Sequence, residues 1–571
     1  MASKDRLKVV LFWHMHQPEY RDALSHRYHL PWTYLHATKD YVDMAAILEE
    51  NPNAQAVVNF VPTLLEQIDD YAQQARAFLD SQKPVNDDLL SALGAEVLPV
   101  DVGQRVKLIK SCLRANELRL INRYAPYRRL ADMMAMIDGR EELITYLSDS
   151  YLSDILCWYH MVWIGETIHR NDDRIQSLVA KGERYSYADR LQLFEVITEL
   201  LESVIPRYRA LAERGQIELS MTPYAHPMIP LLLDFNSAKE SLPDSPVPEY
   251  ANYPGGEERS HWHVQQGLKS FEHYFGQAPS GCWPAEGGVS DGLIDVLADY
   301  SINWIATGET VLRNSLAHSD DHQHVPIEEH LHCAYQVAEH GPACFFRDDG
   351  LSDLIGFTYS GWHGDDAVNN MVHHLETIAE ERAGDPNRVV AIVLDGENAW
   401  ESYPENGYHF LSGLYKQLSE HDQLELTTFS GCLADGLVPG KLPSLVAGSW
   451  VYGTFSTWMG DAAKNRGWDL LCEAKQAFDV ATTSGHLSEE QLLLAQRQLA
   501  ICEGSDWFWW FGDYNPSDSV RDFDRLYRRH LLALYQLLEI NPPANLNEVI
   551  SIGGGDPAQG GVMRPGKAAN N

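Results

Sequence analysis

The run Val389-Val390-Ala391-Ile392-Val393-Leu394, closed by Asp395-Gly396-Glu397, decides the fold class of this chain. It is unbroken in apolar residues, rich in β-branched side chains and too short for a helix buried on every face. A strand with no polar alternation is one covered on both sides, the situation of a parallel sheet under helices. The same design, an apolar run and then a polar cluster, recurs at 8–13 before His14-Met15-His16-Gln17-Pro18, at 56–60, at 217–220 and at 304–308 before Glu309. Helix-period sequence separates these runs. Strands alternating with helices predict a mainly parallel sheet of barrel type, with its chemistry at the strand C-terminal ends.

Outward from that frame, residues 84–214 are helix-patterned throughout and too long for one crossover, so they are expected to form a helical insertion. Residues 234–262, with the Gly255-Gly256 pair, read as a long loop near the barrel mouth. The barrel domain is expected over 1–440. A C-terminal helical domain that contributes to the cleft follows over 441–550, and 551–571 reads as a glycine-rich flexible tail. No internal repeat is visible.

Charge and cysteine usage narrow the function classes. Among 571 residues, 44 Lys and Arg face 81 Asp and Glu, a formal charge of −37, which excludes a polyanion-binding surface over the chain as a whole. Nucleic acid and anionic membranes are therefore not expected partners. The apolar residues 9–13 give way at once to His14, so no secretory signal is expected, and no apolar stretch is long enough to span a bilayer. Eight cysteines without a CxxC pair argue against a disulfide framework and a thiolate zinc site, and predict a cytoplasmic protein. The 15 Trp and 27 Tyr suit stacking on the apolar faces of sugars, beside the packing that most of them serve.

Two acids stand where chemistry is expected. Gly281-Cys282-Trp283-Pro284-Ala285-Glu286-Gly287-Gly288 puts Glu286 on a tight turn, and Asp395 is the first polar residue after the deciding strand. Glycoside hydrolysis needs such a pair, one carboxylate to attack the anomeric carbon or activate water and one to protonate the leaving oxygen. His14-x-His16 allows two readings: zinc ligands joined by an acid such as Glu218 or Asp395, or hydrogen-bond donors to sugar hydroxyls. Arg347-Asp348-Asp349 reads as a loop fixed by ion pairs, and 506–513 as an aromatic wedge between the helical domain and the barrel that leaves one ring for substrate. Acids between Asp513 and Asp518 lack the regular alternation of a calcium loop.

Taken together, His14-Met15-His16-Gln17-Pro18, Gly215-Gln216-Ile217-Glu218, Trp283-Pro284-Ala285-Glu286-Gly287 and Leu394-Asp395-Gly396-Glu397-Asn398-Ala399-Trp400 resemble four of the five conserved regions of glycoside hydrolase family 57, in the family's order. The fifth resembles 448–460, departing at Thr454 where an amide is the pattern. This resemblance covers about 1–550. It implies an incomplete (β/α)7 barrel followed by a helical domain and a retaining enzyme active on α-glucan, with no cofactor and no resident metal. Glu286 would be the nucleophile and Asp395 the general acid/base, while His14, His16, Glu218 and Glu397 would hold sugar hydroxyls between walls of Trp283, Trp400 and Trp458. The wording of the motifs is closest to the α-amylase and amylopullulanase branch, which implies cleavage of α-1,4 links, with α-1,6 links open, in maltodextrin, starch or glycogen. A 4-α-glucanotransferase or branching enzyme shares the chemistry and is the first alternative. A metal-dependent deacetylase or mannosidase-like hydrolase and a non-catalytic glucan-binding protein are the others.

Overall fold

The computed structural model describes residues 6–137, 139–318, 327, 330–339, 341–555 and 563–564. Ten strands are present among them: β1 (Leu7–Met15), β2 (Ala56–Phe60), β3 (Ile217–Met221), β4 (Gly281–Cys282), β5 (Trp304–Gly308), β6 (Tyr335–Val337), β7 (Ala343–Arg347), β8 (Val389–Asp395), β9 (Leu424–Thr427) and β10 (Gly440–Leu442). Seven of these form a parallel barrel in the order β1-β2-β3-β4-β5-β7-β8. β8 returns to β1 in full register, from Lys8↔Val389 to His14↔Asp395. The β7–β8 seam is thin, a single pair at Arg347↔Ala391. The incomplete seven-stranded barrel expected from the sequence is thus present. β9 pairs with the start of β1, and β6 and β10 extend the β7 edge.

Period-two alternation divides each strand between two cores. Val10 and Phe12 of β1 point inward with Val57, Trp304, Phe345, Ala391 and Val393 to fill the barrel, while Val9, Leu11 and Trp13 face the surrounding helices. His14 and Asp395 continue the inward set by one step on each strand, so the polar end of the barrel is built from the last inward position of β1 and of β8.

Between β2 and β3 the chain is helical from Pro62 to Glu213 apart from its turns. The longest of these helices, Tyr187–Glu213, starts on a capping box of Ser186 and Asp189. C-terminal helices Ala462–Ser484, Glu489–Cys502, Asp506–Trp510 and Ser517–Leu537 pack across the barrel mouth. They are anchored by Glu503, a fully buried carboxylate that takes hydrogen bonds from Tyr253 Oη at 2.5 Å, Arg259 Nη2 at 2.7 Å and His263 Nε2 at 2.7 Å. Burial alone would raise this carboxyl; Arg259 and His263 outweigh it and hold the group down at about 2. Most of the expected tail, 551–571, lies outside the described residues. Ser551 to Gly555 do pack on the body, with the Gly554 and Gly555 amides donating to Asn515 O. No helix among the described residues is long and apolar enough to cross a membrane.

Candidate active site

A cleft opens at the C-terminal end of the barrel, and both Glu286 and Asp395 line it. Glu286 sits on the turn after β4 with φ 60° and ψ 23°, a left-handed conformation that a side chain with a Cβ adopts at a cost of about 1–3 kcal/mol. Surrounding bonds hold it there: Glu286 O accepts from the Trp450 amide at 3.2 Å, and Gly287 O accepts from Thr307 Oγ1 at 2.5 Å. Gly287, also at positive φ, lies against Trp283 and Trp450 so closely that a Cβ would press on both. The strained turn thereby aims a carboxylate into the cleft with both oxygens engaged. Trp450 Nε1 donates to Oε2 at 3.2 Å and Ser505 Oγ donates to Oε1 at 3.2 Å.

Asp395 is held differently. Its Oδ2 accepts from Asn398 Nδ2 at 3.0 Å, and its Oδ1 has no hydrogen-bond partner among the described residues. Burial, followed by the charges of Asp395 and Asp506, pushes the Glu286 carboxyl up to about 8. Burial likewise raises Asp395 to about 6, against the opposing influence of Asn398, His16 and Arg347. Two carboxyls that disfavour each other's charge titrate as a pair, and near neutrality this pair holds a proton between them.

Three imidazoles stand beside the acids. His14 Nδ1 lies 2.6 Å from Asn59 Oδ1, and its Nε2 lies 3.2 Å from His226 Nε2. The His16 ring stacks on His226 at 3.9 Å between centroids, and His16 Nε2 meets Asp506 Oδ1 at 2.7 Å. Burial and then the His16 charge push His14 down to about 3, and burial with both neighbours holds His226 well below the usual imidazole range. For His16 burial acts in the same direction, but the charge and hydrogen bond of Asp506, with Glu286 and Asp395 behind it, prevail and raise it. Of the three imidazoles, His16 is therefore the one whose charged form its surroundings favour beside the two carboxyls.

His16, His226 and Asp506 bring one ligand-type atom each to within 4.8 Å of one another. Their geometry does not suit an ion. The His16 and His226 rings lie only 24° from parallel, so their in-plane lone pairs do not converge, and His16 Nε2 and His226 Nδ1 are already committed to Asp506 and to Ser505 Oγ.

Of the residues expected to contact sugar, His14, His16 and Glu397 line the cleft. Glu397 is fully buried and uses Oε1 to hold the His16 amide at 3.3 Å and Gln17 Nε2 at 3.1 Å, which makes it a brace for the His14 to Gln17 loop. Burial, with the Asp395 charge, raises its carboxyl well above the usual range. Glu218 is not in the cleft. It is two residues before Ser220, whose register partner Asn59 holds His14, and that step places it lower in the barrel, bonded to Trp304 Nε1 at 2.6 Å and Ser430 Oγ at 2.6 Å.

The three expected Trp walls are also elsewhere. Trp283 lies under His14 and against Phe12, fully buried as a floor. Trp400 packs outside the barrel on Trp13, since β1 alternation turns Trp13 outward. Trp458 is fully buried beside Trp509. The exposed aromatic surface comes instead from Phe357, Trp450 and Trp510, with Trp509 buried behind them. The cleft is also lined by Tyr20, His226, Asp506, Phe523, Met563 and Arg564, to which the sequence reading assigns no role in the site. His226 follows β3 just before a proline, the pattern that marks His14-Met15-His16-Gln17-Pro18, so the signal was there to be read. Asp506 was read only as part of an aromatic wedge, and Met563 and Arg564 fall in a segment whose composition says nothing of a site.

The family model described as Glycosyl hydrolase family 57 matches residues 10–436. No curated protein sequence matches the chain. Among solved structures, the chain is similar to the GH57-type branching enzyme from the hyperthermophilic archaeon Pyrococcus horikoshii, with TM-score 0.57 at 15% identity over 95% of this chain and 94% of that one. An α-amylase from Thermotoga maritima gives TM-score 0.55 at 14% identity over 94% and 93% of the two chains. A 4-α-glucanotransferase from Thermococcus litoralis gives 0.51 at 14% identity, covering 93% of this chain and 60% of that one. At such identities the likeness establishes the fold.

Proposed function

We propose, since this chain belongs to glycosyl hydrolase family 57 and is a glycoside hydrolase-type enzyme, that its reaction is the retaining hydrolysis of α-1,4 glucosidic bonds in maltodextrin, starch or glycogen. The observation that carries this reading is the unequal treatment of two cleft carboxyls. Glu286 has both oxygens held by donors, which fixes its direction and favours its charged form as the sugar approaches; Asp395 keeps one oxygen free to give and take a proton. A nucleophile needs the first condition and an acid/base the second.

In the first step Glu286 attacks the anomeric carbon and the Asp395 carboxyl protonates the departing glycosidic oxygen, leaving a glycosyl ester on Glu286. In the second step Asp395, now ionised, takes a proton from water, whose oxygen attacks the same carbon and releases Glu286. Two inversions give retention, and the two carboxyls are expected about 5–5.5 Å apart. In the free enzyme the shared proton resides mainly on Glu286, the group with the higher affinity; the mechanism requires it on Asp395 once sugar separates the two, and the Trp450 and Ser505 donors then favour a charged Glu286. The His16 ring beside them, in its favoured charged form, offsets the carboxylate that remains. Phe357, Trp450 and Trp510 supply the faces on which glucosyl units stack.

The pH dependence follows from the pair. kcat/KM should be bell-shaped, falling below about 6 as the pair takes up a second proton and the nucleophile is lost, and falling above about 8 as the proton needed by the leaving group is lost. A profile flat from pH 5 to pH 9 overturns the assignment of this pair.

Hydrolysis and transfer differ only in whether water or a sugar hydroxyl opens the ester. Incubation with maltoheptaose separates them: shorter maltodextrins and glucose with nothing longer than the substrate are expected, whereas chains longer than the substrate, or new branch points, identify a transglycosylase. The eight cysteines, all unpaired, support a reducing compartment and hence the cytoplasm.

A further inference from the structure

A second cavity, of about 490 Å³, lies between the helical insertion and the C-terminal helices, lined from the loop 25–32, the helices Asp88–Gly94, Val102–Ser111 and Asp149–Val162, and the helix Ser517–Leu537. On a chain of charge −37 its walls carry five cationic side chains and two carboxylates. The carboxylates are already shared out: Asp88 pairs with Arg27 and with Lys107, and Asp522 pairs with Arg114 at 3.0 Å. Arg525 and Arg529, one turn apart, make no ion pair among the described residues, and Arg529 Nη1 meets only His29 Nε2 at 3.4 Å. The neighbouring carboxylate, Asp22, faces His29 Nε2 at 3.8 Å rather than either guanidinium, and two arginines at this spacing without an ion-pair partner repel each other, an arrangement that an anion relieves.

Independent features point the same way. Tyr159 lines the cavity, is itself fully buried, and its hydroxyl has no hydrogen-bond partner among the described residues. Burial, then the Arg529 charge, holds His29 below its ordinary value, consistent with a positive field. One wall is the half-buried Trp32 indole, with the Arg114 guanidinium 5.2 Å from its centroid. Bare phosphate would leave most of this volume empty; a flat ring or a sugar attached to the phosphoryl group would fill it against Trp32.

We propose that this cavity is a binding site for a small organic phosphate, with Arg525 and Arg529 gripping the phosphoryl group and Trp32 covering the attached ring. The guanidinium forks match phosphate oxygens in geometry as well as charge. The same helix carries Phe523 into the catalytic cleft, so a ligand bridging it to the insertion braces one cleft wall.

The test is calorimetric titration of the full chain at low salt with inorganic phosphate, glucose 1-phosphate and ADP in turn. One organic phosphate per chain is expected to bind at least about tenfold more tightly than inorganic phosphate, and the R525S/R529S double variant should weaken it at least about tenfold with an unchanged thermal transition in the absence of ligand. Preference for glucose 1-phosphate identifies a sugar phosphate and preference for ADP a nucleotide. Failure of all three probes to bind at millimolar concentration, equal binding of phosphate and both organic phosphates, or undiminished binding by the double variant overturns the proposal. No glucan enters the measurement, so its outcome is independent of the reading of the cleft.

Discussion

Glu286→Gln is expected to lower kcat on maltoheptaose by on the order of 10⁴-fold or more, because the amide keeps the shape of the carboxylate and its contacts but cannot form the glycosyl ester. The fold should survive, and the pH dependence of stability gives a second readout. A carboxyl raised from 4.5 to about 8 is one the folded state prefers protonated. Between those two values the folded chain binds more protons than the unfolded one, so stability is full below about 4.5 and falls as pH rises toward 8. The variant lacks that loss. Its thermal transition should match the wild type near pH 5 and exceed it at pH 8, by a difference on the order of a few kcal/mol. Retained turnover would mean that Glu286 is not the nucleophile; lost turnover with a collapsed transition at every pH would mean that the carboxyl is needed for folding.

Asp395→Asn should be equally damaging on natural glucan, by on the order of 10³–10⁴-fold, yet different in kind. A substrate with a leaving group that needs no proton, such as an α-maltosyl fluoride, bypasses the missing acid in the first step. The ester on Glu286 should then accumulate, since no base activates water, and an intact-mass shift of one glycosyl unit reports it. Azide, which needs no deprotonation, should restore turnover and deliver an α-glycosyl azide by attack on the inverted ester. For Glu286→Gly the same reagent should attack the substrate directly and deliver the β-azide. Exchange of these two stereochemical outcomes would exchange the roles of the two residues, and that result bears directly on the proton's residence on Glu286 in the free enzyme.

How far the site was legible depended on distance along the chain. His14 and Asp395 were readable because each is the first polar residue after an apolar strand, and inward alternation from Phe12 and Val393 carries them to the barrel mouth. Glu286 was readable because its turn is local, a Trp-Pro step before two glycines. The same rule misplaced Glu218, which belongs to a strand that ends three residues later at Met221 and so lies below the rim. Tryptophans resisted it altogether. An indole is equally at home in a core and on a sugar, and only packing shows that Trp283, Trp400 and Trp458 are enclosed while Trp450 and Trp510 remain partly open.

The amino-acid order alone determines what is short-range: the buried strands, the helices between them, and the carboxylates that each strand end presents, because period, propensity and turn chemistry act within a few residues. Tertiary structure decides the rest. Ser505 and Asp506, more than two hundred residues beyond Glu286, and Arg564 farther still, reach the cleft only because the buried Glu503 cluster fastens the C-terminal helices over the barrel. The shifted proton affinities exist only there as well, since burial and opposed charges are properties of atoms brought together in space and leave no mark on the sequence.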